Sequence, residues 1–176
     1  MDNILEIFIK EPEKEFHVRQ ISKLLKKSPT TISKNLKELE EKGILKSEKR
    51  LNHLLFKANL KNEKFKLSKL NYNLNQLHNS GLIDYLVKKF NYPEAIILFG
   101  SFAKAENTLI SDIDLLIITS SRKEVMLDKF EKKIGQKIQL FMHSKKEIEN
   151  MKKKNKELLN NWVNGNVIYG FWELFK

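Results

Sequence analysis

The 176-residue sequence predicts an α+β protein built in two parts. Three observations predict it. Apolar residues recur at helical spacing through the first forty positions and then give way to two short extended runs. From Glu94 onward, apolar strands alternate with amphipathic helices. The charge is also unevenly divided. From His17 to Leu60 eleven Lys and Arg face four acids, whereas from Asn91 to His143 seven face seven, within a net charge of +11. A basic part joined to a neutral one points to a nucleic-acid-binding region beside something else, or to a Lys-rich solvated surface.

Composition narrows the classes. There is no cysteine, which excludes disulfides, thiolate metal sites and cysteine nucleophiles. No run of eighteen apolar residues suggests a membrane span, and the N-terminus does not read as a signal peptide. A cytoplasmic location is the expectation.

NILEIFIK (3–10) reads as a helix with Asp2 as its cap, and EPEKEF as a turn. One or two extended residues then lead to a short helix from Val18 to Leu25. Ser28 caps a longer helix, PTTISKNLKELEEK, with Pro29 in its first turn and Gly43 as its stop. Ile32, Leu36 and Leu39 fall on its inner face. Thr30, Thr31, Ser33, Lys34 and Lys37 fall on its outer face. Two extended pieces follow, ILKSEKR and HLLFKAN, with RLN as the hairpin tip.

Helix, short helix, turn, longer helix and β-hairpin make up a winged helix-turn-helix. The stretch ISKLLKKSPTTISKNLKELEEKGIL resembles the recognition region of that superfamily. The resemblance covers roughly residues 2–60 and implies binding to double-stranded DNA. The outer face of the longer helix would enter the major groove. Arg19, Lys26 and Lys27 would meet phosphates, joined by Lys49 and Arg50 from the wing. A homodimer would suit paired half-sites. The alternative is that the fold serves protein interaction or dimerisation.

Residues 61–79 read as a helical connector, interrupted by NSG at 79–81, and LIDYLVKKF as the opening helix of an 80–176 domain. There AIILF (95–99), DIDLLIIT (112–119) and KIQLFMH (137–143) are strands. RKEVMLDKFEKKIG (122–135) and SKKEIENMKKK (144–154) are helices, the second capped by Ser144. The C-terminal stretch from Glu157 reads as a helix to about Val163 and a short closing element.

Asp112 and Asp114 project to one strand face, while Ile113, Leu115 and Ile117 point into the core. Adjacent carboxylates repel and raise each other's pKa, a cost that a divalent cation removes. Gly100-Ser101 follows the neighbouring strand. A glycine there allows close backbone approach, and the amides with the Ser101 hydroxyl suit a phosphate. Cation-binding acids beside a phosphate-binding turn are parts for phosphoryl or nucleotidyl transfer.

Gly-Ser at a strand end, then Ser-Asp-x-Asp-Leu-Leu-Ile, resembles the polymerase-beta-type nucleotidyltransferase superfamily. GSFAKAE…SDIDLLI looks most like the minimal nucleotidyltransferases of prokaryotes. The resemblance, over roughly residues 80–145, implies a small nucleotidyltransferase-fold domain with a mixed sheet flanked by helices. It implies that Gly100 and Ser101 hold the triphosphate of an NTP, and that Asp112 and Asp114 ligate Mg²⁺ (or Mn²⁺). Lys104 stands where these enzymes often have Arg, to touch phosphate or lie on the surface. Glu106 matches the family's usual acid. Ser111 either contacts the nucleotide or caps the loop.

One departure stands out. The family usually carries a third carboxylate on the following strand, where this chain has Gln139. A neutral amide cannot neutralise a cation or act as a base. His143, on the same strand face, is a substitute base or a surface residue. Two function classes follow. One is an enzyme moving a nucleoside monophosphate from an NTP to a hydroxyl on a protein or small molecule. The other is a non-catalytic transcriptional regulator whose degenerate transferase domain senses nucleotide or binds a partner. By analogy with minimal nucleotidyltransferases, that partner would be a toxin and the chain an autoregulating antitoxin.

Overall fold

The computed structural model describes residues 2–173. The cap expected of the Asp2 side chain, and the closing residues Leu174 and Phe175, lie outside the described residues. The chain forms two compact units, Met1–Tyr72 and Asn73–Lys176.

In the first unit, α1 (Asp2–Lys10), α2 (Val18–Leu25) and α3 (Pro29–Glu41) precede a hairpin of β2 (Leu45–Arg50) and β3 (His53–Ala58). The short β1 (Phe16–His17) pairs antiparallel with β3, giving the order β1-β3-β2. The expected signals act locally. The Ser28 hydroxyl accepts the Thr31 N–H, Pro29 begins α3, and Ile32, Leu36 and Leu39 are buried. They share a core with Ile4, Phe8, Phe16, Ile21 and Phe56. The hairpin tip differs from the expectation. It is two residues, Leu51 and Asn52, both in the left-handed region (φ 44 and 64), as the twist of a two-residue turn requires. Arg50 therefore belongs to β2 and not to the tip.

The second unit contains α5 (Leu82–Lys89), β4 (Ala95–Phe99), the four-residue α6 (Gly100–Ala103), β5 (Ile113–Ile118), α7 (Asp128–Ile134), β6 (Ile138–His143), α8 (Lys145–Lys154), α9 (Lys156–Val163) and β7 (Asn166–Gly170). The closing element is thus a strand. The sheet order is β6-β5-β4-β7, with β4 antiparallel to β5 and β7, and β5 parallel to β6. Its apolar strands are covered on both faces, as near-continuous hydrophobic runs demand. Leu98, Ile113, Leu115 and Ile117 pack with Leu82, Leu86, Phe130 and Ile134 on one side. Ile97, Phe99, Leu116 and Ile118 pack with Ile148, Leu159 and Trp162 on the other.

Helix α7 starts at Asp128, later than the Arg122 the sequence suggested. The residues before it are drawn out of helical geometry by longer-range bonds. The Arg122 guanidinium donates to the Met142 carbonyl and the Glu147 carboxylate, and the Met126 N–H donates to the Tyr85 hydroxyl at 3.3 Å. One helix, α4 (Glu63–Ser80), covers the stretch read as a connector. Phe65 and Tyr72 pack in the first core, while Leu74 and Leu77 pack in the second. Among the described residues no helix is long and apolar enough to cross a membrane.

Candidate functional site

The site is assembled by strand register. Phe99, the last residue of β4, pairs with Asp114 on β5, so the residue after it, Gly100, arrives beside the Asp114 side chain. A Cβ on Gly100 would stand 2.3 Å from Asp114 Oδ2, and Gly100 adopts φ +70. Glycine is demanded here by space and by backbone together. Asp112 lies immediately before β5. Across the parallel pairing, Gln139 stands opposite Asp114, and its Nε2 donates to Asp112 Oδ2 at 2.6 Å. Gly100, Asp112, Asp114 and Gln139 are thus brought together.

Asp114 is half-buried, and its carboxyl is pushed above the usual carboxylate range. Burial is the larger cause and the negative charge of Asp112 the second. Hard oxygen donors held under mutual repulsion fit a single divalent cation of the Mg²⁺ or Mn²⁺ kind. The donor set stops at two. Among the described residues no group of three or more His, Asp or Glu could hold a metal.

The remaining sequence-picked residues divide. Ser101 is half-buried in α6, one residue past the Gly100–Asp114 contact. Lys104 is exposed at the end of α6. Glu106 is exposed. Ser111 closes a turn: its Oγ accepts the Thr108 N–H at 2.9 Å. His143 is not brought to the aspartates. It ends β6, paired with Ile118, with its ring 5.1 Å from that of Trp162, and burial lowers its pKa.

Sequence reasoning missed the groups that fix the loop between Gly100 and Asp112. Asn73 Nδ2 donates to the Phe102 carbonyl at 3.0 Å and to Asn107 Oδ1 at 2.9 Å. Gln136 Nε2 donates to the Thr108 carbonyl at 2.9 Å. Asn73 and Asn107 are both buried, where paired amides hold a loop firmly. A signal existed for one of them: Asn73 is a polar residue set at helical spacing between Leu70 and Leu77.

Residues 81–171 match the family model for polymerase beta nucleotidyltransferase. The chain belongs to that family. Residues 3–92 match the penicillinase repressor family, to which the chain belongs as well. No curated protein and no solved structure matches it. The two family matches establish the architecture, a repressor-type winged helix followed by a nucleotidyltransferase fold.

On the repressor-type unit, Thr30, Thr31, Lys34 and Lys37 are exposed along α3, and Ser33 is half-buried. The Thr31 hydroxyl is shared with the Ser28 cap at 2.8 Å. Arg19, Lys26, Lys27 and Lys49 are exposed. Arg50 is committed within the chain. Its guanidinium donates to both carboxylate oxygens of Glu15 at 3.0 and 2.9 Å, and to those of Glu48 at 3.0 and 2.8 Å. Arg50 lowers the Glu48 pKa, and Glu48 and Glu15 raise that of Arg50. A phosphate contact from Arg50 would have to displace them.

Proposed function

We propose that this protein binds double-stranded DNA through its winged helix, as a homodimer in the cytoplasm, and binds an Mg²⁺–NTP complex at Asp112 and Asp114. The observation carrying the nucleotide reading is the packing of Gly100 against Asp114, which puts the Gly-Ser turn and the paired carboxylates in one place. When bound there, the cation would offset the charge of the phosphates and of a leaving pyrophosphate. Gly100 supplies the left-handed turn that brings the chain past Asp114, and Ser101 offers a hydroxyl. The transfer this arrangement serves is attack of a hydroxyl oxygen on the α-phosphorus of the NTP. A new P–O bond forms, the bond to pyrophosphate breaks, and the hydroxyl proton passes to solvent. Gln139 has no basic atom to take that proton, so turnover is slow.

A second reading is favoured by one observation. The Gln139 amide is spent on Asp112 Oδ2 at 2.6 Å, where a catalytic member would place a third acid. In that reading the domain senses nucleotide, or binds a protein partner such as a toxin, without turnover. The test is thermal unfolding with each NTP, with and without Mg²⁺, repeated on Asp112→Asn/Asp114→Asn. A ligand at a hundred times its Kd stabilises by about 2.7 kcal/mol. A Mg²⁺-dependent shift lost in the double variant supports the site, and pyrophosphate release then separates transfer from sensing. No shift with any nucleotide sinks transfer and nucleotide sensing alike.

A further inference from the structure

One crevice of the nucleotidyltransferase unit lies away from the aspartates. Strands β5 and β6 run parallel, and the chain leaves their carboxyl ends toward opposite faces of the sheet. The segment after β5 leads to α7, whose Phe130 and Ile134 lie in one core. The segment after β6 enters α8, whose Ile148 lies in the other. Adjacent parallel strands whose connections part in this way open a crevice beyond their carboxyl ends, where α/β sheets commonly take ligands. Here that crevice is a cavity of about 670 Å³, the size of a small-molecule site. Asp112 precedes β5 and Thr119 follows it, so cavity and acids are separated by the length of the strand, roughly 20 Å.

The chemistry of the lining is basic and hydroxylic, with Ser120, Ser121, Lys123, Lys146 and Tyr92 among its residues. Its carboxylate, Glu94, is neutralised by Lys145 at 2.8 Å. Glu147, next along α8, is occupied by Arg122 and by the Ser144 N–H. Among the described residues Lys123 and Lys146 have no carboxylate partner, and both are exposed. The Thr119 hydroxyl accepts the Ser121 N–H at 3.1 Å, which fixes the loop after β5. Tyr92, also in the lining, is 71% exposed. It sits at φ 59 after Asn91 at φ 53, a conformation that bulky side chains rarely adopt and that clusters at ligand sites. The Tyr92 N–H is tied to the Val87 carbonyl at 2.8 Å, so the strained turn is fixed and its ring is held out toward solvent.

We infer that this cavity is a second ligand site, taking a nucleotide without a metal ion, its phosphate held by Lys123 and Lys146 and its base against the Tyr92 ring. The lysines supply the charge that a cation supplies elsewhere. An aromatic face stacks any nucleobase. The site is independent of the Asp112–Asp114 reading, and its test keeps the two apart. ATP is titrated into the full chain in EDTA by calorimetry, with hydrogen exchange read by mass spectrometry. Asp112→Asn/Asp114→Asn is run alongside, together with Lys123→Ala/Lys146→Ala, Tyr92→Ala and inorganic phosphate as competitor.

The expected result is saturable binding that survives loss of the aspartates and slows exchange at residues 119–123 and 144–147. It should weaken at least tenfold in the lysine variant. Tyr92→Ala should weaken ATP but not phosphate. Both lysines are solvent-exposed, so the variant should melt at the wild-type temperature. No saturable binding, slowed exchange confined to residues 100–101 or to the winged helix, or unchanged affinity in the lysine variant would each overturn the site. Equal affinity for ATP and phosphate would overturn its nucleotide character.

Discussion

The carboxylate of Asp114 fills the space that a side chain on Gly100 would need: the missing Cβ would lie 2.3 Å from Asp114 Oδ2. Gly100→Ala is therefore expected to damage the site and the fold together. The left-handed backbone alone costs alanine about 1–2 kcal/mol, and the collision adds to it. Urea denaturation should show that loss, and the Mg²⁺-dependent nucleotide shift should disappear. Gly100→Ala/Asp114→Ala should recover the part due to collision but not the shift.

Acid titration should expose two carboxyls acting in opposite directions. Asp114 has a raised pKa in the fold, so the native state holds its proton more tightly than the unfolded chain. Its contribution is present at low pH and lost as pH rises from the ordinary aspartate value through the raised one. Glu147 is pulled down to about 2 by the Ser144 N–H and hydroxyl and by Arg122. Its contribution is present above the ordinary glutamate value and lost as pH falls toward 2. Metal-free unfolding from pH 3 to 7 should accordingly lose its downward component in Asp114→Asn and its upward component in Glu147→Gln. Mg²⁺ affinity should rise with pH over the Asp114 window.

Gln139→Glu restores the acid that the family usually carries. Without metal it places a third negative charge beside Asp112, so the protein should become less stable and the Asp114 carboxyl rise further. With Mg²⁺ and NTP the order should reverse, with a larger thermal shift than wild type. Pyrophosphate release should increase by at least tenfold. A variant as slow as wild type would show that another missing group limits turnover.

Lys34 and Arg50 should behave differently on DNA, although both are basic and exposed. Lys34→Ala removes a free cation from α3, so binding should weaken and the slope of log affinity against log salt should fall by about one. Arg50→Ala removes a charge already balanced by Glu15 and Glu48, so that slope should not change. Fluorescence anisotropy on a duplex across a salt series reads both.

The contrast between those two residues also marks where sequence reading ends. The element order was legible because periodicity changes sharply, from helical spacing before Glu41 to alternating strands after Glu94. Ser28-Pro29 announced its own helix because capping is local. The Gly-Ser and Asp-x-Asp pieces were legible as a motif. Their contact was not, since it depends on Phe99 pairing with Asp114. The commitment of Arg50 to Glu15 spans 35 residues, and the Asn73–Asn107 pair spans 34. No local pattern encodes either. The late start of α7 has the same origin, because Arg122 answers to Glu147 on another helix and not to its own neighbours.

The pairing of Phe99 with Asp114 has a consequence for folding. Side chains alternate along a strand, so sliding β5 by one position against β4 would exchange Asp114 with Leu115. The carboxylate would then enter the face packed by Leu82, Leu86 and Phe130, where an unpaired charge is severely penalised. Apolar runs such as AIILF and LLII are otherwise nearly interchangeable between registers. The aspartate distinguishes the right alignment from the wrong one before any ligand arrives. The acid that serves the site thereby also proofreads the sheet.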